Sequence, residues 1–183
     1  MKNHNSNVLR DFGMVILSVL VSFILVKTGV LEDIFASTQE LKFIGSFVAG
    51  MFFVSIFTAA PAIVVLAEVV KSNPVLEVAF MGGVGALVGD LIIFRFVKDR
   101  VTRDFMYLVK KSKSERLKSI FRLKLFRWLM SFIGALIVAS PFPDEIGLAM
   151  MGISKMKTSL FIPLSFLLNF SGIIFISLIV KAL

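Results

Sequence analysis

The sequence predicts an all-α integral membrane protein, with three transmembrane helices and two opposed re-entrant helical hairpins related as an inverted repeat. Three observations predict it. The 183 residues are 57% hydrophobic and only 17% charged, with a mean hydropathy of +0.93, whereas charge falls on about a quarter of the residues in a soluble domain. Three apolar stretches are long enough, at about 1.5 Å per helical residue, to cross a hydrocarbon core of about 30 Å. Two further apolar stretches are interrupted by proline, and broken backbone at membrane depth survives only where protein or water covers it. The length fits one membrane domain, residues 1–183.

A polar tail, Met1–Asn7, holds the single histidine, His4. Residues 12–31 follow with one charge, Lys27, and form the first span. No Ala-x-Ala-like site precedes Glu32–Asp33, so this stretch reads as a retained helix rather than a cleaved signal peptide. Residues 43–70 read as the first hairpin, interrupted at Ala59-Ala60-Pro61 and continuing past Glu68. A proline-kinked span is the alternative for this segment. Residues 75–97 form the second span and contain Glu77, Asp90 and Arg95.

Residues 98–127 form a basic amphipathic connection. They carry eleven Lys/Arg against Asp99, Asp104 and Glu115, a net +8 equal to the charge of the whole chain. The positive-inside rule places this connection in the cytoplasm. Residues 128–154 read as the second hairpin. Its first arm, Trp128–Ser140, reaches only about 20 Å before Pro141-Phe142-Pro143-Asp144-Glu145. Residues 159–180 are the third span and carry no charge.

Topology favours the hairpin reading of 43–70. It puts Lys2 and Arg10 on the same cytoplasmic side as the basic connection, and the acidic Glu32–Glu40 link outside. From Pro61 to Lys98 is 37 positions and from Pro143 to Lys181 is 38, so each hairpin leads into a span at the same distance. Inverted repeats with broken helices meeting near the midplane are a transporter architecture.

The chemistry points away from enzymes. Cysteine is absent, which excludes disulfides, thiolate metal sites and Cys nucleophiles. One histidine excludes a multi-His metal cluster. There is no Gly-rich phosphate loop, Ser/His/Asp set or HExxH, so no catalytic residue, metal or cofactor is expected. Asp144, Glu145, Glu68 and Asp90 are the candidates for a substrate or proton path, because carboxylates held at membrane depth face water-filled routes or basic partners. Helix capping is the competing role for Asp144 and Glu145. Asp90 is too short to reach solvent and needs a buried partner, such as Lys27 or an arginine reaching back.

Pro61, Pro141 and Pro143 mark the expected hairpin tips. Gly82, Gly85 and Gly89 offer a small-residue face for close helix packing, with Ala86 completing the four-residue spacing. Arg116, Lys118, Arg122, Lys124 and Arg127 interleave with apolar residues up to Trp128. That is the pattern of an interfacial helix touching anionic lipid headgroups, not a nucleic-acid site.

Gly85-Ala86-Leu87-Val88-Gly89-Asp90, ending in Phe96-Val97-Lys98-Asp99-Arg100, resembles the glycine-rich helix after the first hairpin of DedA-like proteins. These belong to the VTT-domain, or SNARE-associated Golgi protein, superfamily. Ser140-Pro141-Phe142-Pro143, followed by Gly152, Phe161 and Gly172, resembles its second hairpin and following helix. The resemblance covers about 43–180. It implies two facing re-entrant hairpins and movement of a lipid or a polyprenyl-phosphate-type carrier across the cytoplasmic membrane of a prokaryote, with protons as coupling ion. Two departures stand out: no arginine lies at the Pro141–Glu145 tip, and no acid follows Pro61 directly. The expected partners are membrane lipids, with homo-oligomers left open. The rivals are a small-molecule or ion exporter and a non-transporting membrane scaffold.

Overall fold

Leu, Ile, Val, Phe and Met dominate stretches with few internal breakers, and the computed structural model folds them into helices. It describes residues 3–31, 39–111, 123–138, 144–154 and 156–182, with backbone alone at 3–11, 39–40, 97–111 and 144–145. Among the described residues there are seven helices and no strand: α1 Asn3–Thr28, α2 Gln39–Phe53, α3 Ala59–Lys71, α4 Val75–Lys111, α5 Lys124–Val138, α6 Asp144–Ile153 and α7 Thr158–Ala182. Two of them contain segments long and apolar enough to cross a membrane, Val75–Phe96 of α4 and Thr158–Ala182 of α7. The first expected span is shorter. Its apolar stretch, Phe12–Thr28, measures about 25 Å. It stops because Gly29 takes φ +65, a left-handed turn that glycine adopts without a Cβ clash.

α2 and α3 are short arms of about 22 and 20 Å, too short to cross 30 Å. The turn between them is 54–58, not Ala59-Ala60-Pro61 as the sequence suggested. Pro61 lies inside the first turn of α3, where its missing N–H has no intrahelical acceptor to lose. The break comes earlier because hydroxyls compete for the backbone. Thr58 Oγ1 donates to the Phe52 carbonyl at 2.7 Å, and the amides of Thr58 and Ala59 donate to the Ser55 carbonyl. At the far end of α3, Asn73 Nδ2 donates to the Val69 carbonyl at 2.6 Å and Pro74 begins the next helix.

α4 continues through Lys111, about 55 Å in all, so the beginning of the basic connection is helical. Lys, Arg and Asp do not stop a helix; only the preferred surroundings change at Phe96. Pro141 and Pro143 lie outside the described residues. α5 and α6 on either side of them pack together where Gly134 meets Gly147.

Two units follow one another, α2–α3–α4 and α5–α6–α7. In each, two short helices pack together and precede a long one. The third helix of each unit packs on the other's, α4 with α7. The middle helix of each unit also packs on the long helix of the other, α3 on α7 and α6 on α4. α1 packs on α3 alone among the described helices.

Glycines set the closest contact, between α2 and α4. A Cβ on Gly50 would meet the Gly82 carbonyl, one on Gly85 the Phe47 carbonyl, and one on Gly89 would lie 2.7 Å from the Met51 carbonyl oxygen. The two helices therefore run parallel with backbone on backbone. Gly85→Leu is expected to destabilise the fold by about 1–3 kcal/mol through overpacking. Gly172→Ala, where nothing lies within 4 Å, is expected to leave it unchanged or slightly raised. Thermal unfolding of the purified protein in detergent reads both.

Candidate functional site

Among the described residues, several uncharged polar groups and one carboxylate are turned inward. Ser46, Asp90, Ser165, Asn169 and Ser177 are buried, while Phe80, Ile92, Phe96, Leu160, Phe175 and Leu178 are more than half exposed. A water-soluble monomer rarely shows large contiguous apolar surface. With polar residues inside and large apolar ones outside, the surface suits lipid better than water.

The inward polar groups converge where α4 crosses α7. The helices are antiparallel: Phe94 meets Phe161, Asp90 meets Ser165 and Asn169, and Gly83 meets Phe166 and Phe170. The buried face of α7 repeats every four residues, Phe161, Ser165, Asn169, Ile173 and Ser177. That repeat drifts slowly round the helix and keeps one stripe against α4. Asp90 is 0% exposed. Its Oδ2 accepts from Ser165 Oγ at 2.7 Å and from Asn169 Nδ2 at 2.8 Å. Asn169 is held in turn, since the same Nδ2 donates to the Ser165 carbonyl at 3.1 Å. One turn away, the Phe94 and Phe161 rings stack with centroids 4.1 Å apart and planes 5° from parallel. Leu148, Met151 and Val138 complete that apolar cluster.

A second polar set joins α5 to the end of α6. Arg127 Nε donates to the Ser154 carbonyl at 2.9 Å, placing a cation at the helix C-terminus where the dipole favours it. Ser131 Oγ and Ser154 Oγ lie 2.6 Å apart, and Ser154 Oγ donates to the Met151 carbonyl at 2.6 Å. Beside this set a cavity of ≈ 670 Å³ opens between α5 and α7, with Lys124, Arg127 and Lys157 at its polar side.

No protein-family model, curated protein or solved structure matches the chain.

The other expected site residues are placed as follows. Glu68 does not join Asp90. It pairs with Lys71 at 2.8 Å and faces a cavity of ≈ 180 Å³ beside Leu25 and Leu31. The next residues, Val69 and Val70, pack with Val78, which is twelve residues or about 18 Å along α4 from Asp90. Lys27, offered as a partner for Asp90, is exposed with its Nζ 5.3 Å from the Phe23 ring centroid, on a helix that packs, among the described helices, on α3. Ser165 and Asn169 take that place instead. Gly82, Gly85 and Gly89 line the α2–α4 seam.

Asp144 begins α6, but the side chains of Asp144 and Glu145 lie outside the described residues, as do Arg116, Lys118 and Arg122. Lys124, Arg127 and Trp128 stand in the first turns of α5. Among the described residues no group of three or more His, Cys, Asp or Glu could hold a metal ion.

Removing the amide of Asn169 withdraws a donor from a carboxyl group that cannot turn to water. Asn169→Leu is expected to cost about 1.5–3 kcal/mol. The cost should shrink in an Asp90→Leu background, where the acceptor is gone. A double-mutant cycle in detergent unfolding measures the difference.

Proposed function

We propose that this chain is an integral membrane transporter that carries a lipid, or a polyprenyl-phosphate-type lipid carrier, between leaflets, with Asp90 as its proton-exchanging group. The observation that carries this reading is the Asp90–Ser165–Asn169 cluster, buried where the long helix of one unit crosses the long helix of the other. A carboxyl group at membrane depth is costly and is kept where it works or is paired. Its neighbours include a hydroxyl and an amide, which can bond either protonation state of the carboxyl group after small reorientations.

The reciprocal packing of α3 on α7 and α6 on α4 supports an inverted repeat. The short arms α2, α3, α5 and α6 support re-entrant hairpins, because none is long enough to cross alone. In this reading α1, α4 and α7 span the membrane. Hairpin one opens outward, and hairpin two opens to the cytoplasm beside the basic segment. The resemblance to DedA-like proteins supports a lipidic substrate and a prokaryotic cytoplasmic membrane. A transporter of this kind rocks one unit against the other around a fixed central site, and the α4–α7 crossing is the contact both units share.

Two outcomes are expected. In vesicles containing the purified protein, a fluorescent-lipid accessibility assay should show transbilayer exchange that Asp90→Asn reduces at least about tenfold, the effect of losing about 1.4 kcal/mol. Glu68→Gln, far from the crossing, should stay close to the parent rate. Exchange at the parent rate in Asp90→Asn would overturn the role of Asp90, and absence of lipid exchange beside active solute efflux would favour an exporter. For topology, single cysteines replacing Ala36, Ser72, Ser112 and Met156 can be labelled in a chain without native Cys. Positions 112 and 156 should react from the cytoplasmic side and 36 and 72 from the other.

A further inference from the structure

The two units differ at one corresponding place. In the first, α2 is sealed against α4 through Gly50, Gly82, Gly85 and Gly89. In the second, α5 and α7 hold the matching positions but stand apart, and the ≈ 670 Å³ cavity lies between them.

This cavity has two chemically distinct ends. Lys124, Arg127 and Lys157 line the end where α5 and α7 begin. Among the described residues none of the three is ion-paired with a carboxylate; the pair found is Lys71–Glu68. Arg127 is held in place through Nε on the Ser154 carbonyl, and its Nη groups form no hydrogen bond with any described residue. A fork fixed in this way suits phosphate oxygens. Further along both helices the walls are Phe132, Ala135 and Leu164. From Lys157, just before α7, to Leu164 is seven residues, roughly 10 Å. Trp128 stands at the boundary between the two ends and is 62% exposed.

Charge at one end and an apolar trough beyond it match one occupant. A soluble phosphate has no use for the trough. A zwitterionic lipid brings an ammonium group against three cations. We infer that the α5–α7 cavity holds the headgroup phosphate and upper hydrocarbon of an anionic phospholipid. Its place as a loading site for translocation rests on the transport reading; the binding itself does not. The sealed α2–α4 seam and the open α5–α7 cavity then correspond to one state of the cycle, open on the side of the basic segment.

Trp128 is the single tryptophan of the chain, so its fluorescence reports on the cavity directly. The full-length protein is placed in phosphatidylcholine vesicles containing either brominated phosphatidylglycerol or brominated phosphatidylcholine at equal mole fraction. Quenching by the anionic lipid should exceed that by the zwitterionic one. Each lysine removed in Lys124→Gln and Lys157→Gln should lower the relative affinity about fivefold. Both lysines are exposed, so these variants spare the packing. Arg127→Lys, which keeps the charge, should retain more of the preference than Arg127→Gln.

Equal quenching by both lipids in the parent protein overturns the inference. So does an undiminished preference in the double lysine variant, which would assign it to the basic segment at large. Lipid exchange measured on the same samples separates the two readings. Preference without exchange leaves a lipid site on a protein that does not transport. Exchange without preference removes the site and leaves transport standing.

Discussion

Asp90 is fully buried in this structure, and the crossing of α4 and α7 is arranged round that fact. Its Oδ2 takes hydrogen bonds from Ser165 and Asn169, two residues one turn apart on the same stripe of α7. Burying a carboxyl group without donors costs more than most single apolar contacts return. The two helices are therefore held at one register, in which Phe94 meets Phe161 and Gly83 meets Phe170. Each unit also lays its short middle helix on the long helix of the other, so the placement of α3 and α6 follows from the same crossing.

Around this fixed contact the two flanks are built from different side chains. Glycine on both α2 and α4 lets backbones touch, which in an apolar medium supplies van der Waals contact where a hydrophobic driving force between helices is lacking. On the other flank, Trp128 and Phe132 stack at 5.4 Å along α5, and with Lys124 and Arg127 they line the gap toward α7. The asymmetry lies in residue size, not in topology.

Much of this is legible in the sequence. The long helices and the two pairs of short arms follow from apolar run length, and the close packing of Gly82, Gly85 and Gly89 from their spacing. The need of Asp90 for a buried partner is legible too; the partner is not. Ser165 and Asn169 stand four residues apart and Ser177 eight further on, but a stretch without charge reads as uniform hydrocarbon, and beside it Lys27 and the arginines look like the stronger partners. Pro61 misleads for a different reason: a proline is a breaker only in a helix interior, and Ser55 and Thr58 have already turned the chain. The end of α4 escapes because helix propensity does not register the change from apolar to basic residues after Phe96. The open cavity is a tertiary fact, set by how far α5 stands from α7, and no local pattern encodes it.

The Phe94–Phe161 stack takes one ring from each unit and stands one turn from Asp90 on the side of Lys157. Anything travelling along α7 from Lys157 toward the carboxyl group must first prise apart a pair of faces in full contact. Under the proposed transport role the stack would act as a gate, and its opening would be an activated event internal to the protein.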